Sequence, residues 1–449
     1  MDQKFIIKGG KRLKGEVSIS GAKNAVLKFM AAALLLEDTC EIRNVPELTD
    51  VETMVDVLRS LGVTVDYNKA EKKILIDATY ISGCEACYKL VSKMRASFTV
   101  LGALLGRCKE AKVALPGGCS IGERRIDFHI KGLETLGAHI KIEGGYVVAK
   151  ARKLIGTTVY LDRPSVGATE NIMLAAVLAE GSTIISNAAQ EPEIIDLANF
   201  LNAMGADISG AGSSEIVING VKQKDLHPVV YTTIPDRIEA GTYIAAVVAT
   251  RGKAVIRNVF PAHLNAVISK LTDMGVNVNI LDPFSLEISC GRTINAINIV
   301  TQPYPGFPTD LQSPYMSVLA MADGLSIITE SIYENRFRQI SELIRMGASV
   351  QQEGNRAIVK GVNSLTGAQL VASDLRAGAS LIVAALSADG ISEISDIYHI
   401  DRGYENVLEK LSGLGADVER MDVVTPEDVS DLPDINDLVA KINLNELNI

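Results

Sequence analysis

The sequence predicts an α/β fold of two domains, each built from three similar units whose helices are buried beneath sheets. Three observations lead to this prediction. The chain has 449 residues, which exceeds the size at which a single hydrophobic core stops growing. A pattern of about seventy residues occurs six times along it. Finally, one helix of each unit is strongly apolar, as in AAALLL and AAVVAT, which predicts that these helices are buried with sheets outside them.

Each repeat closes with an amphipathic helix that ends in Leu-Gly or Met-Gly. Glycine is favoured just after a helix because the backbone there often turns left-handed. A β-prone run such as VTVDY then follows, so each unit is predicted to be β-α-β-α-β with one or two further strands. A linear solenoid is the less favoured alternative, because the units are long and hold several strands. The closing glycines lie 68 to 75 residues apart, at Gly62, Gly137, Gly205, Gly275, Gly347 and Gly415.

The composition is that of a folded protein and disfavours a generic nucleic-acid binder. Hydrophobic residues make up 47% and charged residues 22%, which excludes disorder. The net charge of −10 and the absence of Trp argue against a nucleic-acid surface. No stretch of about eighteen apolar residues occurs and the N-terminus resembles no signal peptide. We therefore expect a cytoplasmic protein without a membrane span.

Six cysteines are too few and too irregularly spaced for a disulfide framework. We expect them to be reduced. Cys84 and Cys87 have C-x-x-C spacing, but no second pair or histidine cluster completes a zinc site, so two half-buried thiols are the favoured interpretation.

Unusual polar residues collect where the first helix of each unit is predicted to start. Helix N-termini attract anions through unpaired N–H groups and the helix dipole. Capping explains Ser, Thr and Asp at such positions. It does not explain Lys23, Arg95 and Arg376, since a cation in the first turn opposes the dipole unless an anion compensates it. The predicted starts are 20–24, 93–97, 165–169, 235–239, 308–312 and 374–378.

The start of the second helix carries further polar groups at 116–125, 333–336 and 399–404. The first of these stretches contains three glycines and Cys119, which suits a mobile lid or a close approach to a ligand. Arg124 and Arg125 follow closely and are expected to lower the pKa of the thiol. A small buried residue is the alternative role for a cysteine taken alone.

Seven motifs, in this order and spacing, resemble those of the UDP-N-acetylglucosamine 1-carboxyvinyltransferase family over essentially the whole chain. That resemblance implies two inside-out α/β domains of three βαβαββ units each, with the active site between them. It also implies that the N-terminal residues join the C-terminal half, giving domains of 21–229 and of 1–20 plus 230–449. The motifs are GAKNA, PGGCSIG, SVGAT, FPTDLQ, ENRF, DLRAGASL and YHIDRGYE.

The resemblance also implies roles for individual residues. Lys23, Asn24, Arg124 and Arg402 match residues that bind phosphoenolpyruvate, which suits the bidentate recognition of phosphate and carboxylate by arginine. Cys119 matches a thiol that protonates the enol carbon and can form a covalent phospholactoyl adduct. A reactive Cys119 implies sensitivity to fosfomycin.

Asp310 matches the carboxylate near the sugar 3-hydroxyl, the candidate base, and Asp374 and Arg376 match a pair close to the reacting centre. Two positions depart from the family pattern, since Arg125 replaces the usual Pro and Arg163 replaces a common Lys. The residues that match contacts of UDP-N-acetylglucosamine are Asn24, Arg95, Arg124, Arg125, Ile126, Asp127, Phe128, Arg163, Pro164, Ser165, Val166, Asp310, Ile332 and Arg376.

The implied activity is transfer of the enolpyruvyl group of phosphoenolpyruvate to the sugar 3-hydroxyl, the first committed step of peptidoglycan synthesis. The implied chemistry is addition followed by elimination, without a metal, a cofactor or an obligate protein partner. Two alternatives remain. A transferase acting on shikimate 3-phosphate shares the fold but lacks this cysteine loop. A DNA sliding clamp also repeats α/β units but needs cations along a ring, whereas these cations cluster at helix starts.

Overall fold

The computed structural model describes residues 3–116 and 126–423 and contains both strands and helices in every repeat. The strands are β1 (Gln3–Lys8), β2 (Lys14–Ser18), β3 (Thr39–Arg43), β4 (Thr64–Asn68), β5 (Lys73–Asp77), β6 (Glu85–Ala86), β7 (Glu110–Ala114), β8 (His139–Glu143), β9 (Tyr146–Lys150), β10 (Thr158–Tyr160), β11 (Ser182–Ser186), β12 (Asp207–Ser209), β13 (Glu215–Asn219), β14 (Val229–Thr232), β15 (Lys253–Arg257), β16 (Asn277–Asp282), β17 (Ser285–Ser289), β18 (Ile299–Val300), β19 (Leu325–Thr329), β20 (Ser349–Glu353), β21 (Arg356–Lys360), β22 (Gln369–Val371), β23 (Ile391–Ser395) and β24 (Asp417–Asp422).

The helices alternate with these strands. They are α1 (Lys23–Ala32), α2 (Thr49–Ser60), α3 (Tyr88–Val91), α4 (Val100–Cys108), α5 (Asp127–Thr135), α6 (Val166–Ala176), α7 (Pro192–Ala203), α8 (Arg237–Ala249), α9 (Asn265–Asp273), α10 (Gln312–Leu319), α11 (Ile340–Arg345), α12 (Leu375–Ser387), α13 (Tyr398–Asp401) and α14 (Val407–Gly413). Short 3₁₀ segments cover Ala33–Leu35, Arg95–Thr99, Gln223–Asp225, Pro261–Leu264 and Thr309–Leu311. None of the helices in the described part of the chain is long and apolar enough to cross a membrane.

The strands form six sheets of four strands, and all six have the same design. Each has one parallel pair at an edge and two antiparallel pairs beyond it, as in the order β10-β11-β13-β12. This is the βαβαββ unit. The closing glycine of every repeat has a positive φ, between 82° and 102°, which is the left-handed conformation predicted after each helix.

The first helix of each unit is buried, as its apolar sequence predicts. All residues of α8 are buried, and so are nearly all of α1, α6, α10 and α12. By contrast, helices such as α9 and α14 bury only a narrow stripe. The apolar helices therefore lie inside and the sheets cover them.

Three strands lie far along the chain from the sheet that they complete. Strand β14 pairs in parallel with β3, and β2 pairs in parallel with β15. Strand β1 lies between β23 and β24 and is antiparallel to both. The N-terminal strand thus takes the place of the last strand of the sixth unit.

The buried apolar residues form two separate clusters. One contains residues between Ala22 and Ile218, and the other contains Phe5 to Ile19 together with Ile238 to Leu414. The division expected at residue 229 falls at the start of β14, which belongs to a sheet of the first cluster. The domain boundaries themselves stay a prediction.

The chain passes between the two clusters twice, and the two crossing segments are hydrogen-bonded to each other. The N–H of Ala22 donates to the carbonyl of Ile234 at 2.7 Å, and that of Asp236 donates to Ser20 at 2.9 Å. Gly21 lies against Asn44 so closely that a Cβ would sit 1.8 Å from its carbonyl oxygen. Only glycine fits at this crossing.

The cysteines of the described residues are free thiols. Cys40 and Cys290 are buried, whereas Cys84, Cys87 and Cys108 are half-buried. Within residues 3–116 and 126–423 no three metal-ligating side chains are grouped closely enough to hold an ion.

If β1 completes the sixth unit, Ile7→Ala will destabilise the protein by about 2–5 kcal/mol, since Ile7 is 1% exposed and opposes Ser392 and Val418. Ile6→Ala, on the half-buried outer face of the same strand, will cost clearly less. Urea unfolding of both variants measures this difference. Equal small losses would show that the N-terminal strand contributes nothing to this core.

Candidate active site

Two cations expected to bind phosphoenolpyruvate share one buried carboxylate. Lys23 begins α1, and its Nζ lies 2.5 Å from Oδ2 of Asp50. Arg402, immediately after α13, donates from Nε to Oδ1 of the same carboxylate at 2.9 Å. Asp50 lies in the first turn of α2 and is 2% exposed. Because Arg402 belongs to the second half of the chain, this contact joins the two halves.

The charges in this cluster change one another's pKa. Burial raises the pKa of Asp50, but Lys23 and Arg402 lower it by more, so its pKa lies below the usual range. Burial lowers the pKa of Lys23, and the charges of Arg376 and Arg402 add to that effect, whereas Asp50 opposes it. The net result is a lowered pKa for Lys23. An anion bound here would favour the charged ammonium.

The start of α1 lies next to the start of α8. Asp236 caps α8, since its Oδ1 accepts from the N–H groups of Ile238 and Glu239 at 2.8 and 3.0 Å. Its Oδ2 accepts from the N–H of Lys23 at 3.2 Å. One carboxylate therefore satisfies free N–H groups at two helix starts on opposite sides of the crossing.

Asp310 lies between two arginines at the start of α10. Arg376 donates to its Oδ2 from Nη2 at 2.9 Å, and Arg336 donates to its Oδ1 from Nη2 at 2.7 Å. Arg376 lies in the first turn of α12, which Asp374 caps through the N–H groups of residues 376 and 377. Tyr404 accepts a further bond from Arg376 at 2.9 Å. The candidate base is thus held in place through both oxygens.

Most candidate contacts of the UDP-sugar lie in the first half of the chain, at three helix starts, whereas Asp310, Ile332 and Arg376 lie in the second half. Arg95 begins a 3₁₀ segment, and Asp127 begins α5 directly after Ile126. Ser165 caps α6 by accepting from the N–H of Ala168, and Val166 is the first residue of that helix. The starts of α5 and α6 are connected by a contact between Phe128 and Arg163.

Arg163 places its guanidinium 5.5 Å from the centre of the Phe128 ring, within the range of a cation–π contact. Pro164 and Asn24 are half-buried beside their helix starts. Ile332 lies in the second half of the chain, where its N–H donates to Glu330 at 2.8 Å.

Cys119, Arg124 and Arg125 lie outside the described residues. The roles expected for them therefore stay predictions, and so does the assignment of the other site residues to particular substrates.

Asp50 was not predicted from the sequence, whereas Arg336 and Glu405 lie in the motifs ENRF and YHIDRGYE but were given no role there. Asp50 follows Thr49 at a helix start, a position where an acidic residue is expected for capping alone, so nothing local distinguished it. Glu405 is buried and accepts from Lys72 Nζ and from the N–H of Glu47, both at 2.8 Å. Its place at the end of the motif YHIDRGYE was the signal that pointed to it.

The family described as EPSP synthase (3-phosphoshikimate 1-carboxyvinyltransferase) matches residues 7–411. The chain belongs to this family of carboxyvinyltransferases.

Two similar relatives within the family are UDP-N-acetylglucosamine 1-carboxyvinyltransferases. The chain is 54% identical over 420 residues to UDP-N-acetylglucosamine 1-carboxyvinyltransferase 2 of Carboxydothermus hydrogenoformans, covering 93% of this chain and 99% of that protein. It is 52% identical over 425 residues to UDP-N-acetylglucosamine 1-carboxyvinyltransferase of Gloeobacter violaceus, covering 94% of this chain and 92% of that one. The resemblance found in the motifs is confirmed.

Solved structures share the fold. The enolpyruvyl transferase NikO from Streptomyces tendae superposes with a TM-score of 0.86 at 26% identity, covering 94% of this chain and all of that one. EPSP synthase from Acinetobacter baumannii superposes with a TM-score of 0.72 at 20% identity and the same coverage. The predicted α/β fold class is confirmed.

The Asp50 carboxylate raises the pKa of Lys23 against the effect of burial, so Asp50→Asn will lower that pKa. The titration of the Lys23 Cε resonance in protein labelled with ¹³C-lysine, assigned with Lys23→Arg, measures this shift. Asp56→Asn, on the exposed face of the same helix, serves as the control. An unchanged titration in Asp50→Asn would contradict the ion pair.

Proposed function

We propose that this enzyme transfers the enolpyruvyl group of phosphoenolpyruvate to the 3-hydroxyl of UDP-N-acetylglucosamine and releases phosphate. This reaction commits the nucleotide sugar to peptidoglycan synthesis. The names of relatives that are 52% and 54% identical over nearly the whole chain support the choice of substrates. Because both substrates are highly charged metabolites of the cytoplasm, we place the reaction there.

The observation that carries the proposal is the pair of cations, Lys23 and Arg402, held by Asp50 between the two halves of the chain. A phosphoenolpyruvate anion carries a phosphate and a carboxylate. Such a ligand needs cations from several directions, in a site where little water competes. Lys23 and Arg402 supply two of them from opposite sides, and Arg376 lies close enough to affect the pKa of Lys23.

In the proposed reaction, the Cys119 thiol gives its proton to the methylene carbon of phosphoenolpyruvate. The neighbouring carbon becomes an oxocarbenium-like centre, which the sugar 3-hydroxyl attacks while its proton passes to Asp310. A tetrahedral ketal results. The Cys119 thiolate then takes a proton from the new methyl group and Asp310 returns its proton to the departing phosphate, which restores the double bond and both side chains.

The surroundings of Asp310 support its part in this scheme. Its side chain keeps about a quarter of its surface, 24%, exposed, although Arg336 and Arg376 bind it from two sides. The two guanidinium groups fix the plane of the carboxylate, so its position relative to an incoming hydroxyl is set before the substrate binds. A fixed position is one requirement for a general base.

Phosphate release tests the choice of substrate directly. With phosphoenolpyruvate and UDP-N-acetylglucosamine, each protein molecule will release phosphate over many catalytic cycles. With shikimate 3-phosphate in place of the nucleotide sugar, no phosphate will be released. DNA retention on a column is measured in parallel. Turnover with shikimate 3-phosphate alone, or DNA retention without turnover, would overturn the proposal.

Cys119→Ala will nearly abolish that phosphate release at neutral pH, because no other group is proposed to protonate the methylene carbon. Cys119→Asp will keep activity, since a carboxylic acid can donate the same proton. Circular dichroism and thermal unfolding check that both variants fold. Full turnover in Cys119→Ala would remove this residue from the mechanism.

A further inference from the structure

Asn171, on the buried side of α6, uses its whole side-chain amide to join three elements. Its Oδ1 accepts from the N–H of Gly102 at 2.7 Å, and its Nδ2 donates to the carbonyl of Phe98 at 3.4 Å. The same Nδ2 lies 2.8 Å from Nδ1 of His129 on α5. Asn171 is fully buried and His129 is 7% exposed, so both lie in the interior beneath these helix starts.

The bonds to Gly102 and Phe98 lie at a change of helix type. In an uninterrupted α-helix the N–H of residue 102 would bond to the carbonyl of residue 98. Here the 3₁₀ segment Arg95–Thr99 meets α4 at this point, and both groups bond to the Asn171 amide. A Cβ at residue 102 would lie 2.2 Å from the Asn171 carbonyl oxygen. Because residue 102 is glycine, α6 approaches α4 closely enough for the side-chain amide of Asn171 to bond to backbone groups at the start of α4.

His129 fixes the direction of the amide. Burial, together with the charges of Arg95 and Lys28, lowers the pKa of His129 to about 3, so the ring is neutral at physiological pH. A neutral Nδ1 accepts the hydrogen bond from Asn171 Nδ2, which leaves Oδ1 to accept from Gly102. The ring also meets the edge of Phe98 at 5.3 Å.

The other side of the His129 ring supports the first turn of α6. A Cβ added to Gly167 would lie 3.1 Å from Cε1 of the ring, so the backbone of that turn lies directly against His129. The buried cluster of Asn171 and His129 thus contacts three elements: the 3₁₀ segment Arg95–Thr99, the start of α5 and the start of α6. These are the three stretches that carry Arg95, Phe128 and Ser165.

We infer that Asn171 and His129 are positioning residues for the nucleotide-sugar half of the site, which they assemble by fixing the 3₁₀ segment 95–99 against the starts of α5 and α6. The inference rests on the proposed function for the identity of the ligand. It concerns the nucleotide-sugar half, because the ion pairs of Lys23 and Arg402 with Asp50 involve neither Asn171 nor His129 in the described part of the chain.

Steady-state kinetics of Asn171→Ala will separate the two halves of the site. The KM for UDP-N-acetylglucosamine will rise about tenfold, as misplacement of a binding group by a fraction of an ångström commonly does. The KM for phosphoenolpyruvate and kcat will stay within about twofold. His129→Gln, which keeps a hydrogen-bond acceptor, will be closer to wild type than His129→Leu. An equal rise of both KM values would mean that the cluster is merely structural and would overturn the inference.

Ser317→Ala is the matched control. Ser317 donates to the carbonyl of Ser380 at 2.8 Å between α10 and α12, and both residues are buried. This variant also loses a buried bond between core helices, but away from residues 95–99. It will lower the melting temperature and leave both KM values unchanged. A rise in its sugar KM to match Asn171→Ala would contradict a specific role.

Hydrogen exchange distinguishes a failure of this inference from a failure of the proposed function. Amides of residues 95–99 will exchange at least about tenfold faster in Asn171→Ala than in Ser317→Ala, because the amide that secures the segment is gone. Unchanged exchange there overturns the inference whatever the substrate. Faster exchange in a protein whose wild type shows no turnover with UDP-N-acetylglucosamine would instead overturn the proposed function alone.

Discussion

The buried carboxylate of Asp50, shared by Lys23 and Arg402, is the contact on which the rest of the site depends. Burying an ion costs roughly several kcal/mol, and a pair recovers that cost only with good geometry. A lysine at a helix start is unfavourable as well, because it opposes the helix dipole. We propose that an anionic ligand offsets these costs. Asp50 supplies one negative charge to the two cations.

The path of the chain brings these groups together. The crossing segments pair through Gly21 and Pro235, so α1 and α8 begin side by side although they belong to different hydrophobic clusters. Asp236 accepts hydrogen bonds from N–H groups at the starts of both helices. Strands β2 and β14 complete sheets on either side of the crossing, which makes each half depend on a segment from elsewhere in the sequence. The site therefore forms where the two halves are joined by the backbone itself.

Most of the fold was predictable from local patterns, whereas the partners within the site were not. The closing glycines, the apolar helices and the positions of Lys23 and Arg376 follow from helix chemistry, and the structure shows each of them where expected. Asp50 could not be distinguished from an ordinary capping residue, because its partners lie on α1 and beyond α13. Likewise, the pairing of β1 between β23 and β24 joins residues about four hundred positions apart, and no local period encodes it.

The most direct test of this account is a crystal structure of the protein with phosphoenolpyruvate and UDP-N-acetylglucosamine bound. The account predicts that the phosphoenolpyruvate anion lies within hydrogen-bond distance of both Lys23 Nζ and the Arg402 guanidinium, with the sugar 3-hydroxyl beside Asp310. An anion bound elsewhere, with Lys23 and Arg402 still paired only to Asp50, would contradict it.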